Sequence, residues 1–494
     1  MYLERERPMK LYFSDFFEVS PEVIEKYGAF NPSLINDLPL FIDPFLLFNS
    51  KEKKYSNLHA KIIAYVGFLR DMSEKNDINE GLLKSWFLFP EVKQNWFGYS
   101  RVGNTGSGLG LKFAKALSEN LNTIFNNFGK EKVSSGSHLE KLCLIKEGVG
   151  RDNISDFTTN LIKGFLLEYT EQFARQYIKP EYCARYNIGH VEFNYETRTW
   201  MRREFLLPTK DNDFVLLTPK EILTKDDTWI NKTDMVGNFQ NIASSIPNDQ
   251  LRAQINDYLP RVLPDNPSKK EYMQGIIKAI NKFPSYIDYY IKYKEDTGDE
   301  ATQISHIKVK ETEELFNQKV NQFVVRLANE TDFYNTESNS YNATYQRVLF
   351  LKQVIENNDG YKIFYLKNKP IKREQDLQLL FRLTFFATSY DVNSEVNNGR
   401  GPVDYKISKG SEDKTLVEFK LASNSKLKQN LKNQVKVYEA ANQTKSSIKV
   451  VLYFTDNELE KLIKIMKALG LNEGDNLVII DARPNKESAS NVKL

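Results

Sequence analysis

Cysteine is nearly absent: Cys143 and Cys183 are the only two among 494 residues, and they stand far apart. Such a pair builds neither a disulfide framework nor a cysteine-rich metal site. Histidine is almost as rare, with His59, His138, His190 and His306 scattered along the chain, so zinc-ligand spacing is missing as well. Glycine (23) and proline (17) are few; together they fall below an average share of roughly 12%, which excludes collagen-like repeats and long low-complexity segments. No fixed period recurs, which excludes solenoids and propellers. Neither charge dominates: 68 Lys and Arg stand against 65 Asp and Glu, a net +3, so a nucleic-acid surface has to be a local patch. No run approaches the ~18–20 apolar residues of a membrane span. The richest, Leu38 to Phe48, is interrupted by Pro39, Asp43 and Pro44 and reads as buried core. Met1 to Lys10 is charged and lacks the apolar segment of a signal peptide. The expectation is a cytoplasmic protein without a membrane partner.

What is present is an ordinary folding composition, 41% hydrophobic and 27% charged. The length suits about two to four domains at roughly 100–200 residues each. The expected class is α+β and multidomain. Residues 1–185 read as a mostly helical domain with apolar residues three and four apart, including one helix over Asn153 to Gln176 opened by Asp152 and Asn153. Residues 186–265 read as a small strand-containing insert, with strands at Val191 to Tyr195 and Phe214 to Leu217. Residues 266–338 read as a helical connector, and Pro247, Pro260, Pro264 and Pro267 break the helical pattern around its start.

Residues 339–494 carry the clearest element order. Helices are expected over Tyr341 to Glu356 and Arg373 to Thr388, then a meander of strands over Tyr390 to Val396, Pro402 to Ile407 and Thr415 to Leu421. A helix from Ser425 to Ala441, a strand from Ile448 to Phe454, a helix from Asn457 to Leu469 and a strand from Leu477 to Asp481 follow.

The meander holds polar groups that a purely structural strand does not need. Val403, Tyr405 and Ile407 alternate on one face of their strand, leaving Asp404 on the other; Val417, Phe419 and Leu421 do the same, leaving Glu418 and Lys420. A hairpin symmetric about Ser411 puts Asp404 across from Glu418 on its non-core face. Two carboxylates that close call for a cation, and Mg²⁺ (or Mn²⁺), which takes one or two carboxylates and leaves room for water and phosphate, suits them. Lys420 then stands beside the pair, placed to stabilise charge on a phosphate. The competing reading is a solvated hairpin face with a Glu–Lys pair.

Asp404, thirteen intervening residues, then Glu418, Phe419 and Lys420 on a hairpin behind a helix resemble the PD-(D/E)XK phosphodiesterase superfamily, the restriction-endonuclease-like fold. Proline here is Pro402, one place earlier than the family name implies. In the next helix, Gln434 and Tyr438 are similar to the Gln-x-x-x-Tyr motif of the RecB-like branch, and being four apart they share a helical face. The resemblance begins near residue 339 and names nothing before it. It implies a C-terminal α/β nuclease domain with Asp404, Glu418, Lys420 and Gln434 as catalytic residues and Asp404 and Glu418 as metal ligands. It also implies an acidic residue from the preceding helix, for which Glu374 is the candidate and Asp376 the alternative. Glu395 is weaker, because a simple hairpin register turns it to the face opposite Asp404.

From Lys420 to Lys449 seven lysines stand against one acid, Glu439. Lys426, Lys428, Lys432 and Lys436, with Tyr438 and with Arg400 in the turn before Asp404, are the candidate nucleic-acid contacts. The expected function is a metal-dependent nuclease acting on DNA, in bacterial restriction or anti-phage defence by analogy of architecture. The N-terminal region then recognises, regulates or sets a homo-oligomer. The alternative is a non-cleaving nucleic-acid-binding or interaction protein that keeps the fold. Two N-terminal features read as structural: the glycine-rich stretch Gly103 to Lys112 as a loop before a helix rather than a nucleotide cradle, and the group Glu147, Arg151, Asp152, Ser155 and Asp156 as capping and a local ion pair rather than a ligand site.

Overall fold

The computed structural model describes residues 10–35, 37–75, 78–97, 110–111, 114–115, 117–118, 121, 131–145, 149–225, 227–320, 322–323, 327, 331, 339–357, 360–366, 369–370, 374–385, 388–397, 402–410, 413–432, 446–474 and 476–484. Two compact units divide at Lys310 and Glu311. The architecture is α+β: a largely helical N-terminal unit with small sheets, and a C-terminal unit built on one mixed five-stranded sheet. Among the described residues no helix is long and apolar enough to cross a membrane.

In the N-terminal unit the longest helix, α1 (Lys53–Glu74), buries Leu58, Ile62, Tyr65, Val66, Leu69 and Met72, a stripe at three- and four-residue spacing. The apolar run Leu38 to Phe48 is buried as expected but changes element at its polar interruption. Leu40–Ile42 pairs antiparallel with Leu223–Lys225, and Pro44–Phe48 is a helix whose first turn is capped by Asp43, with Phe45 N donating to Oδ1 at 3.0 Å. The helix expected over Asn153 to Gln176 is two helices, α2 (Arg151–Leu161) and α3 (Lys163–Tyr177), meeting at Ile162. Asn153 supplies its capping bond, accepting from Gly150 N at 3.0 Å.

The stretch 186–265 lies within this same unit. Strands β1 (Cys183–Ile188), β4 (Arg203–Lys210) and β5 (Asp213–Phe214) form an antiparallel sheet. Between its first two members, β2 (Phe193–Asn194) and β3 (Thr199–Trp200) form a short hairpin. Pro260 does not end its helix, which runs from Asp249 to Val262; in the last turn a proline forfeits only one main-chain bond.

The C-terminal unit follows the expected order closely. Helices α4 (Ser340–Asn357) and α5 (Glu374–Leu383) precede the meander β6 (Asp391–Asn397), β7 (Pro402–Lys409) and β8 (Asp413–Leu421). Residues 427–432 are helical; then come β9 (Ser447–Tyr453), α6 (Asp456–Leu469) and β10 (Leu477–Asp481). The sheet order is β6-β7-β8-β9-β10, antiparallel through the meander and parallel across β8, β9 and β10. Strand β8 is therefore central, and from Thr415 to Leu421 it is buried throughout. On one face Phe381 of α5 packs against Phe419 and Tyr405, with ring centroids 5.0 and 5.7 Å away. On the other, Leu427 and Leu431 join Val451, Tyr453, Leu462 and Leu477 in one apolar cluster.

Candidate active site

The hairpin register decides which side chains meet. Tyr405 pairs with Val417 and Lys406 with Leu416, so the register is centred on position 411 and the next step places Asp404 across from Glu418, as the alternation of the sequence required. The paired ladder ends at Tyr405 and Val417, and beyond it Phe419 N donates to Asp404 Oδ2 at 2.6 Å. Two residues on, Leu421 N donates to Glu374 Oε1 at 3.3 Å. The last stretch of β8 thus turns its free amides toward two carboxylates rather than toward another strand.

Glu374 reaches this place because α5 is held onto the sheet. Leu377, Leu380 and Phe381 of α5 are buried, and Tyr405 donates its hydroxyl to Gln378 O at 3.0 Å. That contact leaves the first residue of α5 over the end of β8. Asn424, in the turn after β8, donates from Nδ2 to Glu374 Oε1 at 3.2 Å. The turn is itself held by Lys461 of α6, whose Nζ donates to Ala422 O and Asn424 O at 2.9 and 2.8 Å.

Lys420 is the centre of the group. Its Nζ lies 3.1 Å from Glu418 Oε1, 3.5 Å from Asp404 Oδ2 and 3.5 Å from Glu374 Oε2, and it donates to Phe419 O at 2.8 Å. Asp404, Glu418 and Lys420 are only 5%, 6% and 8% exposed. This corrects the expectation of an outward, non-core face and disposes of the solvated-hairpin reading, since the helical segment 427–432 and α6 cover the face that alternation left polar. Burial pushes the Glu418 carboxyl up to about 7, partly offset by the Lys420 charge. Burial works against the charge on Lys420, but Asp404, Glu418 and Glu374 together outweigh it and hold the ammonium above its ordinary value. Glu418 Oε2 is buried with no hydrogen-bond partner among the described residues. A cavity of about 10 Å³, lined by Glu418, Lys420, Asn430, Leu431 and Lys449 among others, adjoins it; that is room for about one water.

Residues 18–231 match a family described as a domain of unknown function (DUF8370), and residues 340–456 match a second domain of unknown function (DUF8371). No curated protein and no solved structure matches the chain. The second match begins at α4 and ends at the start of α6, so it contains every member of the group around Lys420.

The structure thus gathers Asp404, Glu418, Lys420 and Glu374. Lys426, Lys428 and Lys432 are exposed while Leu427 and Leu431 point inward, so the described start of that helix presents its lysines to solvent. Arg400, Gln434, Lys436 and Tyr438 lie outside the described residues, as does most of Gly103 to Lys112. Position 395 needs correction. Ser394 pairs with Tyr405 and Val396 with Val403, which sets position 395 beside Asp404; the closing pair Asn397–Pro402 leaves one residue fewer between the strands than the simple register assumed, and that single step moves position 395 across.

Sequence reasoning missed Asn424 and Lys461. Asn424 had a signal, a turn asparagine just after the strand; Lys461 had none, being one lysine of a charged helix. Among the described residues no group of three or more His, Cys, Asp or Glu side chains is arranged to hold a metal ion. The donors at hand are the pair Asp404 and Glu418. In the N-terminal group, Ser155 Oγ accepts from Ile42 N at 2.9 Å, a structural role, and Glu147 lies outside the described residues.

Proposed function

We propose that the C-terminal unit is a metal-dependent phosphodiesterase of the PD-(D/E)XK type that hydrolyses nucleic-acid backbones, with DNA as the favoured substrate. The observation that carries this reading is the meeting of Asp404, Glu418, Lys420 and Glu374 at one point, with Glu418 Oε2 unpartnered among the described residues. An ion pair that only holds a sheet together has no use for a third carboxylate reaching in from a helix or for an orphaned buried oxygen, both of which lower stability. A carboxyl lifted by burial beside a specific charged neighbour, as Glu418 is beside Lys420, is a pointer to a working site.

Asp404 and Glu418 are hard oxygen donors in the number that Mg²⁺ or Mn²⁺ commonly draws from a protein, and the lone pairs of Glu418 Oε2 are available, so the residues fit such an ion. Bound there, it supplies Lewis-acid polarisation of a phosphoryl oxygen and a more acidic water. Lys420, its position fixed by three carboxylates and Phe419 O, offers positive charge to the phosphate. Glu374 and Asn424 orient Lys420 and close the end of β8. The exposed Lys426, Lys428 and Lys432 serve backbone phosphates. The N-terminal unit then supplies recognition, regulation or assembly, and a place in restriction or anti-phage defence follows by analogy alone.

The test is incubation of the full chain with single- and double-stranded, linear and circular DNA and RNA in Mg²⁺, Mn²⁺ or EDTA. Metal-dependent cleavage lost in Glu418→Gln supports the reading. Binding without cleavage under every condition returns the chain to the non-cleaving alternative.

A further inference from the structure

The N-terminal unit contains a cavity of about 300 Å³ between α1, the start of α3 and the β2–β3 hairpin. Its floor is a wall of rings. Tyr65 and Phe193 are buried, with centroids 4.9 Å apart at 80°, and Trp200 lies 5.1 Å from Tyr65 and 5.2 Å from Phe193. The wall is pinned from behind. Trp200 Nε1 donates to Ser85 O at 3.1 Å, Trp86 Nε1 donates to Arg198 O at 3.0 Å, and the Tyr65 hydroxyl donates to Trp86 O at 2.9 Å. With their polar atoms already satisfied inward, Tyr65 and Trp200 join Phe193 in offering the cavity only carbon. Phe165, on α3, faces them from the other side, and Tyr195 at the rim is 47% exposed.

The rim is charged. Lys54 and Lys61 of α1 and Arg203 line it together with Glu168 and Glu192, giving three cations to two acids. Lys61 bridges to Glu192 at 3.3 Å and Arg203 to Glu168 at 2.7 Å. All four side chains are between 44% and 64% exposed, and exposed pairs of this kind hold weakly, whereas a phosphate engages a lysine and an arginine through charge-assisted bonds. An aromatic floor with a cationic rim suits a flat ring carrying an anionic group. The volume lies at the small end of ligand sites, which span roughly 300–1,000 Å³, so it suits one such unit and not a longer polymer segment.

We propose that this cavity binds a nucleoside monophosphate, its base against Tyr65, Phe193 and Trp200 and its phosphate at Lys61 and Arg203. The ligand has two sources, a free mononucleotide or the 5′ end of a strand. The proposal uses no residue of the C-terminal unit and stands whether or not that unit cleaves nucleic acid.

All four tryptophans, Trp86, Trp96, Trp200 and Trp229, lie in this unit, so intrinsic fluorescence reads it in the full chain. Titration with AMP, GMP, CMP and UMP, the parent nucleosides, inorganic phosphate and a 5′-phosphorylated oligonucleotide is the experiment. At least one monophosphate is expected to give a saturable change, with its nucleoside tenfold or more weaker and phosphate alone silent. Lys61→Ala with Arg203→Ala, both exposed and safe for folding, should remove the advantage of the monophosphate over its nucleoside while leaving nucleoside binding in place. Tyr195→Ala should weaken both about equally. An oligonucleotide that binds as tightly as its free monophosphate assigns the site to strand ends, and one that is excluded assigns it to free nucleotide. No saturable change with any monophosphate overturns the proposal, and so does monophosphate binding that survives the double substitution unchanged.

Discussion

In the N-terminal unit Asp43 and Glu140 are both 0% exposed. Asp43 accepts from the amides of Phe45 and Trp229, at 3.0 and 2.7 Å, while neither Glu140 oxygen has a partner among the described residues. In the C-terminal unit Asp404 and Glu418 are nearly as buried, but a lysine amine lies within 3.5 Å of both. The consequences differ. Burial, with the neighbouring Asp43 charge, drives Glu140 well above the ordinary carboxyl value, while burial lifts Asp43 only to about 6 against two amides and the Lys294 charge, so a proton neutralises Glu140. The second pair is settled by the Lys420 ammonium. Buried acid alone does not mark a working site; the proposed site differs in holding a cation among its acids.

The largest effect that probes this difference is catalytic. Asp404→Asn and Glu418→Gln keep the shape of each side chain and remove its charge, and each is expected to lower cleavage by on the order of 10³-fold, about 4 kcal/mol of barrier. The amide forms are chosen because these positions are buried, so that truncation to alanine would add a packing loss to the chemical one. Wild-type cleavage by Glu418→Gln would detach the cluster from the chemistry.

Next in size is a stability effect. Lys420→Met leaves three carboxylates around a methionine, and breaking a buried charge group from one side costs about 3–5 kcal/mol. The loss should be smaller at pH 5 than at pH 8, because Glu418 takes up a proton as pH falls through about 7. Hydrogen exchange of the β8 amides in the full chain reads it. Equal losses at both pH values would mean that Lys420 does not hold the carboxylates ionised.

The N-terminal acids predict a pH dependence of opposite origin. Asp156 is lifted to about 8 by burial, with the Asp152 and Glu91 charges adding to it, and Asp43 to about 6. Both carboxyls are raised above their ordinary 3.8, so the folded state keeps protons that the unfolded chain has released. Their contribution is complete below about pH 4 and is lost as pH rises through about 6 and then about 8. Tryptophan-detected melting of the full chain should fall over that window. Asp156→Asn should flatten its upper part, by roughly 1–2 kcal/mol between pH 6 and 8. An unchanged slope in Asp156→Asn would place the titration elsewhere.

How much of this the sequence could carry follows from which forces are local. Strand alternation and turn chemistry are local, so β6 to β10 and the side-by-side placement of Asp404, Glu418 and Lys420 were legible before any coordinates. Burial of that polar face was not, because it depends on Leu427, Leu431 and Leu462 arriving from two other helices. The position of Glu395 turned on a single residue of loop length, to which a period-two pattern is most sensitive. The ring-walled cavity was invisible for a similar reason: Tyr65, Phe165 and Trp200 are remote in sequence and only tertiary packing assembles them. The break at Ile162 was likewise hidden, since the apolar spacing carries on across it.

The smallest expected effect concerns the lysines outside the buried group, and it asks whether charge at the surface of the C-terminal unit acts as the charge inside it does. Lys426, Lys428 and Lys432 are exposed, and between them Leu427 and Leu431 hold the segment to the core. Substituting all three by glutamine removes charge without touching that packing. If each meets a phosphate, the log–log salt slope of duplex DNA binding should flatten by about 0.9 per lost contact, and affinity should fall alike for every sequence tested. Cleavage at saturating substrate should hold, because none of the three approaches Lys420 or its carboxylates in the contacts above. An unchanged salt slope would make these lysines a solvated face and move the nucleic-acid path elsewhere. A loss of turnover at saturation would instead show that surface and buried charge act as one unit, erasing the distinction between a cation that attracts substrate and a cation that works on it.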